Sequence, residues 1–199
     1  MGKAIGVVSL KGGVGKTTTV ASLGAALSEI GKKVLLVDGN LSSPNLGLHL
    51  NIVDPEKTLH HFLNKTASFH ETIHNHGNFD VLPASIFEKI SINPFKLKEG
   101  IKSVKKKYDV ILIDSSPSLD EETLAVMMAS DDIIVVTTPD RPTLGVTLKA
   151  VKLAKQRGTP IIGIIMNKVY DKNFEISLAD IEETLEVPVL AVIPYDVNV

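Results

Sequence analysis

The sequence contains no cysteine. Disulfide scaffolds, thiol nucleophiles, cysteine-ligated zinc and iron–sulfur clusters are therefore excluded. Arginine is nearly missing as well. Arg141 and Arg157 are the two in 199 residues, so bidentate readout of phosphates or base edges has little to work with. No sign of charge dominates: 21 basic side chains face 23 acidic ones, a net charge of −2. That balance gives no reason to expect direct nucleic-acid contact. Long hydrophobic runs are absent too, so no segment can span a bilayer. Met1–Leu10 passes straight into a glycine-rich loop, which excludes a signal peptide and predicts a cytoplasmic protein. What remains is of ordinary globular composition, 44% hydrophobic and 22% charged, with the length of a single domain over residues 1–199.

Short β-branched runs alternate with longer segments of helical spacing. Ala4–Ser9, Lys33–Val37, Asp109–Ile113, Ile133–Thr137, Ile161–Ile165 and Val187–Val192 are almost unbroken in hydrophobicity, as strands covered on both faces are. Phe79–Pro83 is a weaker seventh candidate. Between them Val20, Leu23, Leu27 and Ile30 recur every three or four residues until Gly31 ends the helix. Glu122–Ser130, Thr143–Arg157 and Leu178–Leu185 read the same way. The alternation predicts an α/β fold, a doubly wound and mostly parallel sheet of about seven strands with helices on both faces. Ligands of such sheets bind beyond the carboxyl ends of the strands. Residues 50–105 are the least regular part, and the lysines at 96, 98, 102 and 105–107 read as a solvated helix face.

Strand one leads into Lys11-Gly12-Gly13-Val14-Gly15-Lys16-Thr17-Thr18 at the start of a helix. Glycines let consecutive backbone N–H groups approach phosphate oxygens with no Cβ in the way. The first helical turn, through Thr17 and Thr18, adds unpaired N–H donors and the positive end of the helix dipole. Lys16 can reach the β- and γ-phosphates, and the Thr17 hydroxyl can ligate magnesium. Ile111-Leu112-Ile113-Asp114 is a buried strand ending in an acid that can hold magnesium-bound water. ATP or ADP with Mg2+ is the expected ligand.

Leu10 stands where the first glycine of the common phosphate loop belongs. With its extra lysine, Lys11-Gly12-Gly13-Val14-Gly15-Lys16-Thr17 resembles the deviant Walker A loop of the MinD/ParA family of dimerising ATPases, and is closest to its MinD-like members. The resemblance implies that Lys11 reaches the phosphates of a partner's ATP across a homodimer interface, an arginine-finger role. Val37-Asp38-Gly39-Asn40 with Pro44-Asn45-Leu46 resembles the family's switch I, and Asp114-Ser115-Ser116-Pro117-Ser118 its switch II. This places Asp38 beside Thr17 and Asp114 at the metal. The family's second switch I acid, which sits by the attacking water, is Asn40 here. Asparagine keeps an acceptor oxygen and loses the charge, so slow hydrolysis is expected. Asn167 resembles the family's adenine-reading asparagine. Pro194 and Asp196 resemble the loop that closes over the base.

One motif points elsewhere. His70-Glu71-Thr72-Ile73-His74 fits H-E-x-x-H, with Gly77 and Asp80 extending it toward a zinc protease pattern. It lies between switch I and the Walker B strand, and Asp80 runs directly into a strand-like stretch. With His60 and His61 nearby, it reads as a solvated helix end in a His-rich exposed region.

The function expected is an ATP-dependent dimerising switch acting in spatial positioning, such as cell-division site selection, with a protein regulator or cargo as partner. No basic amphipathic stripe occurs near Val199, which predicts no membrane contact from this chain alone. A non-hydrolysing ATP-bound scaffold and a metabolic P-loop ligase are the alternatives.

Overall fold

The computed structural model describes residues 2–88, 93–170 and 175–197; Met1 and Val199, the ends of the expected domain, lie outside them. Along the chain come β1 (Lys3–Val8), α1 (Lys16–Glu29), β2 (Val34–Asp38), α2 (Leu46–His49), α3 (Leu59–Leu63), β3 (His74–His76) and β4 (Phe79–Leu82). Then follow α4 (Pro94–Val104), β5 (Val110–Asp114), α5 (Glu121–Ala129), β6 (Asp132–Thr137), α6 (Arg141–Arg157), β7 (Ile161–Val169), α7 (Leu178–Leu185) and β8 (Val189–Pro194). The strands form one sheet of eight in the order β3-β4-β2-β5-β1-β6-β7-β8. All pairings are parallel except β3 with β4.

Side chains alternate across the sheet with the period of two that extended backbone imposes. Leu35, Val37, Ile111, Ile113, Ile133 and Val135 join the core under α3 to α7. Val34, Leu36, Leu112, Ile134 and Val136 join the opposite core with Val20 of α1 and Leu46 of α2. The inner strands are thus covered on both faces, which is why they read as continuous apolar runs. The Val187–Val192 run is a correction: β8 stands at the sheet edge, and Leu190, Val192 and Ile193 are exposed rather than covered. Gly24 sets how closely α1 lies on the sheet. A Cβ there would stand 2.5 Å from Leu36 Cδ2, so only glycine lets the helix settle onto β2. That contact positions the helix whose N-terminus faces the strand ends.

The structure departs from the sequence reading mainly in residues 57–80. The H-E-x-x-H segment is no helix end. Phe69–Thr72 form a single 3-10 turn, and His74 opens an antiparallel edge strand. Glu71 is bound by the Lys57 ammonium at 2.6 Å and the Ser68 N–H at 2.7 Å, and His74 Nε2 lies 2.6 Å from the Lys57 carbonyl. Among the described residues no three His, Asp or Glu side chains are grouped to hold a metal ion. The lysine-rich segment departs in part: Lys96 donates to the Leu63 carbonyl and Lys105 to Asp131 rather than facing water alone.

His60 is a further correction, because it is fully buried rather than exposed. Its Nδ1 accepts the Ser85 N–H at 3.0 Å, and its Nε2 has no partner among the described residues. Burial holds the imidazole below its ordinary pKa, against the opposing pull of Glu88. In the unfolded chain the same ring takes a proton below about pH 6.5. Stability from His60 is therefore present above that pH and is lost as pH falls toward its folded pKa. Relative to His60→Asn, which keeps an acceptor for Ser85, the wild type should lose about 1 kcal/mol between pH 7.5 and 5.5 in urea denaturation.

Candidate nucleotide site at the carboxyl ends of β1, β2 and β5

The loop after β1 enters α1 through Gly15, whose φ of 98° is a backbone region disfavoured for side chains. Asn167 at the end of β7 occupies the space beside it: a Cβ on Gly15 would lie 2.2 Å from Asn167 Nδ2. That amide donates to the Val14 carbonyl at 2.8 Å, and the Lys168 ammonium donates to the Gly13 carbonyl at 2.8 Å. The β7 end thus holds the loop through its carbonyls rather than its N–H groups. No side chain caps α1, and no acid lies in its first turn. By contrast, Asp120 caps α5, Asp140 caps α6 and Ser177 caps α7. The N-terminal donors of α1 are left to attract an anion.

Lys16 is buried, and burial lowers its pKa against the raising influence of Asp114. Asp38 and Asp114 are both fully buried and are direct partners in the β2–β5 register. Asp38 Oδ1 accepts the Asn40 N–H at 3.1 Å, and its Oδ2 accepts those of Asn45 and Leu46 at 3.1 and 3.0 Å. Burial and the charge of Asp114 nevertheless push Asp38 up to about 7. Burial pushes Asp114 up to about 6, against the Thr17 hydroxyl bond and the Lys16 charge. Thr17 donates to Asp114 Oδ2 at 2.6 Å, while Asp114 Oδ1 is buried with no partner among the described residues. Two buried carboxylates on adjacent strands, one of them bonded to a half-buried hydroxyl, are hard oxygen donors short of positive charge, a set that fits Mg2+.

Lys11 points elsewhere. Its ammonium lies 3.3 Å from both oxygens of Asp140, and it also donates to the Thr143 hydroxyl. Asp140 is itself fixed by Thr138 and Thr143 and held down to about 2 by those bonds, against burial. A cavity of about 260 Å3 opens beside this pair, between Gly12–Val14, Pro139 and Tyr170. At the far side Pro194 pairs with Val169, the Tyr195 N–H donates to the Val169 carbonyl at 2.9 Å, and the Tyr195 ring stacks on Tyr170 at 4.4 Å. Asn167, Pro194 and Asp196 are thereby gathered at the adjacent ends of β7 and β8.

The structure thus brings Gly12–Thr18, Asp38, Asn40, Asp114 and Asn167 to one edge of the sheet. Residues 2–163 match the family model described as an AAA domain. An uncharacterized ATP-binding protein of Methanocaldococcus jannaschii is 35% identical over the whole chain and 76% of its own length. The septum site-determining protein MinD of Thermotoga maritima is 33% identical over 98% of the chain and 76% of its own. The chain belongs to the MinD/ParA family of ATPases. Among solved structures of the family, the septum site-determining protein MinD of Pyrococcus horikoshii, complexed with Mg-ADP, superposes with a TM-score of 0.92. It is 39% identical over 98% of this chain and 82% of its own. The MinD/ParA fold carries here the eight-stranded sheet described above.

Three residues at this edge escaped the sequence reading: Asp140, Tyr170 and Glu122. Asp140 was legible as a helix N-cap, three residues ahead of Thr143. Its partnership with Lys11, 129 positions away, had no local signal. The same holds for Glu122, which lies within a run of acids that reads as an ordinary first helical turn.

Proposed function

We propose that this chain is an ATP-dependent dimerising switch of MinD/ParA type, acting in spatial positioning such as division-site selection. One observation carries the reading. An uncapped helix N-terminus and a buried Lys16 meet a half-buried Thr17 bonded to a buried Asp114, whose second carboxylate oxygen is unsatisfied among the described residues. In this reading Gly12–Thr18 cradle the triphosphate with backbone N–H groups, and Lys16 neutralises the β- and γ-phosphates. Thr17, Asp38 and Asp114 hold the magnesium ion, which supplies charge neutralisation at the phosphates. Asn167 reads the adenine, with Pro194 and Asp196 over it. The Mg-ADP complex of the 39% identical MinD supports this ligand.

Lys11 of each copy completes the site of the other, so nucleotide and homodimer are coupled. Its place at the surface, paired with Asp140 at an exposed edge, leaves it free to exchange partners at modest cost. The switch segments around Asp38–Leu46 and Asp114–Asp120 order on the γ-phosphate and relax after hydrolysis, and a protein regulator or cargo reads the difference.

Asn40 makes turnover slow. Its Nδ2 donates to the Ser43 carbonyl at 2.6 Å, which leaves the neutral Oδ1 as the acceptor. Asn40→Asp should raise the single-turnover rate about tenfold with ATP affinity unchanged, because a charged acceptor polarises water better. Equal rates in a rapid-quench experiment would remove the slow-hydrolysis part of the reading. The same neutral residue favours a second reading, a dimer that holds ATP without turning it over. Absence of phosphate release from saturated wild-type dimers over hours would select that one.

A further inference from the structure

The two switch segments are joined by a contact that the reading above does not use. Ser42, in the segment after β2, donates its hydroxyl to Glu122 Oε1 in the first turn of α5. Asn40 binds the neighbouring Ser43 carbonyl, so its amide and the Glu122 carboxylate are each tied to one of two adjacent residues. Gly39 packs against the same helix: a Cβ there would stand 2.7 Å from Val126 Cγ2 and 2.6 Å from the Asp114 carbonyl. Asn40 is 5% exposed and Glu122 is 7% exposed. Asn40 Oδ1 and Glu122 Oε2 are each buried with no hydrogen-bond partner among the described residues.

Two buried acceptors without a donor carry a desolvation penalty that a shared donor removes. Both of these are acceptors only, since the donor half of Asn40 is already spent on Ser43. A water molecule has two protons, and between two acceptors it gives one to each. Its lone pair is then left directed away from both, the orientation a nucleophile needs.

Resting on the ATPase reading, we infer that Asn40 Oδ1 and Glu122 Oε2 are the acceptor pair for the attacking water, with Glu122 supplying the negative charge that Asn40 lacks. The water oxygen bonds to the γ-phosphorus as the bond from that phosphorus to the bridging oxygen breaks, leaving its electron pair on ADP. One water proton passes to Glu122 and then to the released phosphate. Glu122 comes from α5, after switch II, and Asn40 from switch I. The pair therefore assembles only when both segments are in place, and hydrolysis reports on the two together.

The assignment orders four proteins by the number of charged acceptors: Asn40→Asp has two, the wild type one, Glu122→Gln none, and the double variant one. Rapid-quench single-turnover rates should follow that order. Glu122→Gln falls at least tenfold below wild type, and Asn40→Asp in that background restores the rate to within threefold of wild type. ATP affinity by calorimetry with Mg2+ stays within threefold throughout, since the pair touches water and not the nucleotide. A wild-type rate in Glu122→Gln, a double variant as slow as Glu122→Gln, or ATP-saturated wild type that releases no phosphate would overturn the assignment and leave ATP binding standing. Failure of the wild type to take up ATP would instead overturn the ATPase reading itself.

Discussion

Lys16→Ala should weaken ATP binding more than a hundredfold, a loss of about 3 kcal/mol. Lys16 is 7% exposed and lies in the field of Asp114, which opposes the lowering of its pKa by burial. It is thus a desolvated point charge held where a triphosphate would end, and charges in such places act at low effective dielectric. Removing it also leaves Asp38 and Asp114 facing each other without a nearby cation. Both already sit well above the usual carboxylate range, at about 7 and about 6, so the variant can relieve the strain by taking up a proton rather than unfolding. The expected outcome in calorimetry with ATP and Mg2+ is a flat titration from a protein whose circular dichroism is unchanged. Binding within threefold of wild type would mean that the loop after β1 holds something other than a triphosphate.

Lys11→Ala should have the opposite profile: near-normal nucleotide binding by the monomer and no dimer. Size-exclusion chromatography with light scattering should show the wild type doubling its mass when ATP and Mg2+ are added, and the variant failing to do so. Hydrolysis should fall by about a thousandfold, the lower range for loss of a cation donated in trans to a phosphoryl-transfer site. Stability should change by less than about 1 kcal/mol, because the Lys11–Asp140 pair has 43% and 39% of its side chains exposed and water screens it. The two lysines of one loop are thereby separable. Lys16 is buried in the field of Asp114, whereas Lys11 is half-exposed and anchored 129 positions away on the N-cap of α6.

Most of the sheet was legible. Six apolar runs and the weaker Phe79–Pro83 correspond to seven of the eight strands, and for the inner strands burial on both faces leaves a continuous hydrophobic signature, whereas the apolar run of β8 lies exposed at the sheet edge. The strand that went unread, β3, is His74–His76, a three-residue edge with no apolar pattern at all. It exists because β4 offers it a free ladder, which is a property of the neighbour. His60 failed for a related reason. A histidine beside another histidine reads as surface, and only the Ser85 N–H and the packing of α3 make its burial tolerable.

Local pattern by itself determined the strand–helix alternation and the phosphate loop, since both depend on residue spacing and on glycine's backbone freedom over a few positions. The sequence also carried Lys11, Asp38 and Asn40 as recognisable members of ordered motifs. Tertiary structure alone decided who meets whom. It set Asp38 level with Asp114 in the β2–β5 register, drew Ser42 onto Glu122 across 80 positions, and turned Lys11 toward Asp140. Such contacts follow from the order of strands in the sheet and from which face each helix covers. That order places residues far apart in the chain within bonding distance, and no periodicity along the chain records it.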